Sequence, residues 1–214
     1  MTAPAAVLWD LDGTLVDSTL DLAAAGNACR AALGLPPLDV ATVASYVGNG
    51  LGKLLERLCP DADPVGLAVA RDEFVAHYAK HCADQTPVFP GVSELLAVIA
   101  AAGIPQAVVT NKPLSFTTTI LDHHQLSAHF AAVIGGDGPK KPAPDQLLEA
   151  CQRCGVDPAA VWMVGDHHTD LQAGRAAGCR VAWVGWGIGK RDDGPIDVCV
   201  DTPEQLLAAL AIPR

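Results

Sequence analysis

The chain has 214 residues, half of them hydrophobic and only 18% charged, with no low-complexity tract, which excludes a disordered protein and allows one large domain or a core with a modest insertion. Lys and Arg number 14 against 24 Asp and Glu, a formal net charge of -10 that argues against a nucleic-acid partner and obliges any anion site to build its own positive field. Seven scattered cysteines suggest no disulfide framework, and with no basic, apolar leader before Asp10 and no apolar run of membrane length the expected location is the cytoplasm, with no membrane partner.

Val7-Leu8-Trp9 is a short apolar run stopped by Asp10, and Gly13-Thr14 reads as the turn leaving a buried strand. From Ser18 to about Pro90 no strand is expected. Apolar residues fall at helical spacing over Leu20 to Leu33, Gly50 to Leu58 and Gly66 to His81, and the chain returns through the proline-rich segment Thr86 to Gly91. A helical insertion directly after the first strand end is placed to act as a lid over a site there. Beyond it, strands in Ala107 to Thr110, Ala132 to Gly136, Val161 to Asp166 and Val181 to Gly185 alternate with helices in Val92 to Ala102, Ser115 to His124, Asp145 to Cys154 and Thr169 to Ala177. This pattern predicts an α/β fold: a doubly wound parallel sheet, Rossmann-like, formed by residues 1–17 and 91–214, with a helical domain inserted at 18–90.

In such a sheet the chemistry gathers at the carboxyl ends of the strands. Asp10-Leu11-Asp12-Gly13-Thr14 carries two carboxylates that can divide labour, one as nucleophile and metal ligand, the other as general acid and base, or that serve only as turn formers. Thr110-Asn111-Lys112-Pro113 places a hydroxyl and free amides near a helix start that Pro113 is expected to open: a phosphate seat or a simple cap. Lys140 and Lys141 precede another proline-started helix, where the helix dipole disfavours a cation unless an anion binds between them; two solvated lysines are the plain alternative. Asp166 at its strand end suits a hard cation, with Asp170 in the next helix as first-turn acid or support.

These four motifs, in this order, resemble those of the haloacid-dehalogenase-like hydrolases, and Val47 to Leu51 together with Phe89 to Val92 resemble the phosphoglycolate phosphatases among them. The resemblance spans essentially the whole chain. It implies Asp10 as nucleophile and Asp12 as acid and base, Thr110, Asn111 and Lys141 as substrate-binding residues, and Mg²⁺ held by Asp10, by Asp12 through its backbone carbonyl, and by Asp166. Asp170 supports the metal site, and residues 18–90 form a helical cap domain. The implied activity is hydrolysis of a small phosphorylated metabolite, 2-phosphoglycolate first, through an aspartyl phosphate, in a monomer or homodimer. A sugar phosphomutase, or a phosphatase for another small or sugar phosphate, shares the motifs. A phosphonate hydrolase needs a cap lysine, for which only Lys53 and Lys80 offer themselves, and a dehalogenase has no need of Asp12 or a metal. The sequence departs from the family pattern at His167-His168, where a small or hydroxyl residue usually follows the aspartate. Adjacent histidines rarely serve one ion, so oxygen ligation remains the expectation. Cys151-x-x-Cys154 has zinc or redox spacing but lies inside an expected helix without a second pair, which favours buried packing.

Overall fold

The computed structural model describes residues 3–212, so the outermost two residues at each end of the expected core lie outside the described residues. Six strands form one sheet: β1 (Ala6–Trp9), β2 (Gln106–Val109), β3 (Ala132–Ile134), β4 (Val161–Gly165), β5 (Arg180–Val184) and β6 (Val198–Val200). Every pairing is parallel and the order is β3-β2-β1-β4-β5-β6. Strand β1 lies between β2 and β4, with Leu8 opposite both Ala107 and Met163. The order reverses direction beside β1, so a crevice opens at its carboxyl end, where Asp10 sits.

Alternate residues of each strand point to opposite faces. Val7, Trp9, Val108, Trp162 and Val164 belong to one apolar cluster, which takes in Leu96 and Ile99 of α5 (Val92–Ala101), Ile120 of α6 (Leu114–His123) and Leu206 of α9 (Pro203–Ala209). Ala6, Leu8, Val109 and Met163 belong to the other, with Leu147 of α7 (Asp145–Cys154) and Leu171 of α8 (His168–Ala177). Burial on both faces is why β1 and β4 are apolar throughout. Cys151 packs in the second cluster with Cys154 against it, as its place inside α7 predicts.

Strand β6 and α9 were not expected from the sequence. Val198–Val200 is three residues long with its middle residue exposed, too short to show a period. Pro113 and Pro144 stand as N-caps of α6 and α7 rather than as first helical residues, and α7 and α8 stop where Gly155 (φ 68°) and Gly178 (φ 80°) turn left-handed.

Between β1 and α5 the chain forms α1 (Thr19–Ala32), α2 (Val40–Ala44), α3 (Leu51–Leu58) and α4 (Pro64–His81). Their apolar faces, including Leu22, Val43, Leu55, Leu58 and Phe74, join the first sheet cluster without a break. Arg30 of α1 is buried and donates to the carbonyls of Pro36 (2.7 Å) and Leu58, tying α1 to the end of α3. The two connections to the sheet run side by side: Asp17 N–H donates to Pro87 O (2.9 Å), Phe89 N–H to Leu15 O (3.0 Å), and Val16 bridges Val88 in antiparallel sense. Asp21 fastens the same place, accepting from Gln85 N–H (2.8 Å) and the Thr86 hydroxyl (2.7 Å). Among the described residues no helix is long and apolar enough to cross a membrane.

Candidate active site

Asp10 leaves β1 with its N–H on Val164 O (3.0 Å) and its Oδ1 accepting from Leu11 N–H (2.7 Å), so the side chain is aimed by backbone on both flanks. Lys141 approaches from the far side of the crevice. Its Nζ lies 2.9 Å from Asp10 Oδ1, 2.7 Å from Asp170 Oδ1 and 2.7 Å from Val109 O. Lys140, its neighbour, is exposed, so the two lysines of this segment separate into one buried and one solvated. Burial alone would lower the Lys141 pKa, but the charges of Asp10 and Asp170 outweigh it and hold it above the ordinary value.

Asp166 ends β4 almost completely buried. Its Oδ2 accepts from Ile188 N–H (2.9 Å) and Gly189 N–H (2.7 Å), and its Oδ1 from the Thr14 hydroxyl (3.2 Å). Asp170 occupies the first turn of α8, accepting from His167 N–H (3.0 Å) in a capping box. The carboxylates of Asp10, Asp166 and Asp170 converge, with one ligand atom from each within 4.8 Å of the others. Burial first, then the charge of Asp170, pushes Asp10 up to about 6 against the pull of Lys141. Burial, Asp170 and Asp10 push Asp166 to about 8. Three buried carboxylates facing one lysine carry excess negative charge, and a donor set made only of oxygens suits a hard divalent cation.

The carboxylate of Asp12 is not in that cluster. Its Oδ1 instead accepts from the Ser18 hydroxyl (2.5 Å) and from Lys112 Nζ (2.7 Å). Gly13 permits the divergence: its φ is +84°, and a Cβ there would lie 2.1 Å from Asp166 Oδ2. Trp183 and Trp186 hold the surrounding loops, donating to Asp166 O (2.9 Å) and Thr14 O (3.0 Å).

Thr110 follows β2, with its hydroxyl accepting from Lys112 N–H (3.2 Å) and its carbonyl from Gln146 Nε2 (2.9 Å). The side chain of Asn111 is engaged in full: Nδ2 donates to Gly48 O (3.0 Å) and Lys141 O (2.9 Å), and Oδ1 accepts from Lys141 N–H (2.8 Å). It therefore joins the lysine loop to the loop before α3. Gly48 (φ +107°) in that loop packs on the ring of His167, where a Cβ would come within 2.9 Å. The ring lies beside Thr169 (Nδ1 to Oγ1, 2.9 Å) and belongs to the N-cap of α8.

Between the strand ends and the helical insertion lies a cavity with about 50 Å³ accessible to the centre of a water molecule. Asp10, Asp12, Thr110, Asn111 and Lys112 form its polar floor, and leucines, valine and phenylalanines from the insertion and α6 its walls. Lys112 is the residue that sequence reasoning passed over. Its contacts, Asp12 and Tyr78, lie 100 and 34 positions away, and a lysine beside Asn-Pro carries no signal of its own.

Residues 7–184 match the family model described as haloacid dehalogenase-like hydrolase, and the chain belongs to that family. Among its relatives, a phosphoglycolate phosphatase of Chromobacterium violaceum is 40% identical, the alignment covering 94% of each chain. An N-acetylmuramic acid 6-phosphate phosphatase of Pseudomonas aeruginosa is 36% identical over 96% of this chain and 94% of its own. The crystal structure of a predicted phosphoglycolate phosphatase from Haemophilus somnus 129pt superposes with a TM-score of 0.90 at 29% identity, covering 97% of this chain and 98% of that one.

Proposed function

We propose that the protein is a Mg²⁺-dependent phosphatase that hydrolyses a small phosphate monoester through an aspartyl phosphate on Asp10, with 2-phosphoglycolate the first candidate substrate. The observation that carries the reading is the divergence of two carboxylates two residues apart: Asp10 toward Lys141, Asp166 and Asp170, Asp12 toward the cavity and Lys112. One carboxylate so placed is a nucleophile beside a cation site, and the other is free to handle a proton.

Asp10, Asp166 and the backbone carbonyl of Asp12 would hold Mg²⁺, with Asp170 fixing both the site and Lys141. A bound Mg²⁺ would supply charge neutralisation between the carboxylate and the phosphate dianion. Lys141, the Thr110 hydroxyl and the backbone of Asn111 would bind the phosphoryl oxygens. Asp12 would protonate the departing alkoxide and then deprotonate the water that cleaves the aspartyl phosphate. Residues 18–90 would act as a cap domain over a core of residues 1–17 and 91–214, with Gly48 to Lys53 nearest the leaving group.

The test is phosphate release from a panel of monoesters, ranked by kcat/KM, with Mg²⁺ or with excess chelator. Release is expected only with the ion and to vanish in Asp10→Ala; turnover by that variant, or in chelator, would overturn the reading. Isomerisation of a sugar phosphate without phosphate release would identify the phosphomutase alternative.

A further inference from the structure

We propose that His77 and His81, one turn apart at the carboxyl end of α4, form a second metal site that takes a transition-metal dication such as Zn²⁺ or Ni²⁺. The site lies outside the strand-end crevice and does not depend on the phosphatase reading. Side chains four residues apart on a helix share a face, so two histidines at this spacing can close on one ion. Their ring centroids are 4.8 Å apart, with the planes at 46°. His81 and Asp84 are both exposed, and His81 Nδ1 lies 2.8 Å from Asp84 Oδ2. A carboxylate there holds the proton on Nδ1 and leaves the lone pair on Nε2, the way a carboxylate orients a metal-binding imidazole. His77 Nδ1 has no hydrogen-bond partner among the described residues, and the ring contact of His77 is with His81. The helix dipole alone favours a histidine in a last turn, but it does not account for a second ring held against the first.

The donors set the ion. Imidazole suits Zn²⁺, Ni²⁺ and Cu²⁺, whereas Mg²⁺ prefers oxygen, so this pair and the carboxylates at the strand ends select different cations. Asp84 offsets part of the charge, the exposed Glu73 lies one turn before His77 on the same face, and the carbonyl end of α4 carries partial negative charge. Lys80 is the opposing charge, exposed beside His81. Among the described residues the sole cluster of three ligands is Asp10, Asp166 and Asp170. Water therefore completes the shell around the two imidazoles, which makes an open site of moderate strength and not a closed structural one. Tyr78 follows His77 in the chain and its hydroxyl accepts from Lys112 (2.7 Å), so an ion on the two histidines braces the turn that carries this contact.

The experiment titrates Ni²⁺ into the full chain by calorimetry in excess Mg²⁺, with Asp166→Asn as the control for an ion captured at the strand ends. One equivalent is expected to bind in the wild type and in Asp166→Asn, and to be lost in His77→Ala and in His81→Ala. Asp84→Ala should bind about 10-fold more weakly, the lower end of what the loss of an orienting carboxylate costs. No binding to the wild type overturns the assignment. So does binding that survives unchanged in both histidine variants, or that is lost in Asp166→Asn and kept in the other two. Should His77→Ala not fold, His81→Ala alters an exposed side chain and decides alone: full binding there overturns the site. Unchanged affinity in Asp84→Ala overturns the orienting role given to that carboxylate.

Discussion

Replacing Asp166 with asparagine is expected to stabilise the metal-free protein at alkaline pH, although the residue sits at the heart of the candidate site. Asp166 is 1% exposed, and burial first, then Asp170 and Asp10, raises its pKa from 3.8 to about 8. Between those two values the native state keeps a proton that the unfolded chain has released, so stability falls as pH rises through the window. Below about pH 4 both states are protonated and the penalty vanishes; above about pH 8 it is complete. An interval of about 4 pH units at ~1.4 kcal/mol each amounts to ~6 kcal/mol. Asparagine avoids the ionisation while its amide oxygen still accepts from Ile188 and Gly189 N–H. In excess chelator at pH 9, Asp166→Asn should therefore melt about 12–24 °C above the wild type, at roughly 2–4 °C per kcal/mol for a chain of this length. The gap should close at pH 4. Adding Mg²⁺ should reverse the order, because the wild type alone keeps the full ligand set and gains stability by mass action. A variant that melts below the wild type at pH 9 in chelator, or a gap that does not change with pH, would refute the electrostatic account.

Asp12→Asn should still transfer the phosphoryl group from an aryl phosphate to Asp10 and then stall, so rapid mixing should show a burst of aryl alcohol followed by slow turnover. An alkyl phosphate should lose roughly 10²–10⁴-fold, and unimpaired alkyl hydrolysis would hand the proton transfer to another group, with His167 next to be tested. Gly48→Ala places a Cβ 2.9 Å from His167 at a φ of +107° and should cost ~1–3 kcal/mol in urea melts. It should also reorder a substrate panel more than it slows a small aryl phosphate; an equal fall on all substrates would remove this loop from substrate choice.

The strands and the polar residues that follow them were legible for one reason: a parallel sheet covered on both faces writes each strand as an apolar run and each candidate site position as the polar residue that ends it. Asp10, Thr110 and Asp166 are of that kind. What sequence could not convey is where a side chain turns after its strand ends. Asp10 and Asp12 look equivalent in the chain, and their separation into two charge environments depends on Gly13 and on lysines from two other loops. Asn111 looks like a ligand-binding amide, yet its side chain is absorbed in holding Gly48 and Lys141. Lys112 and Tyr78 meet only because α4 brings Tyr78 to the loop that follows β2, and no local pattern records that. At the edge of the sheet, Val198–Val200 is short enough that pairing with β5, not propensity, makes it a strand.

The paired connections at Leu15–Asp17 and Pro87–Phe89 bear on how the helices between them can move. A segment tethered by one flexible strand of chain can swing and rotate about any axis. Here two strands are laced by Asp17 to Pro87, Phe89 to Leu15 and the Val16–Val88 bridge, which resists twist and sliding far more than it resists bending across the ladder. Such an attachment fixes the direction from which the helices meet the sheet, where Asn111 Nδ2 donates to Gly48 O and Lys112 Nζ to the Tyr78 hydroxyl.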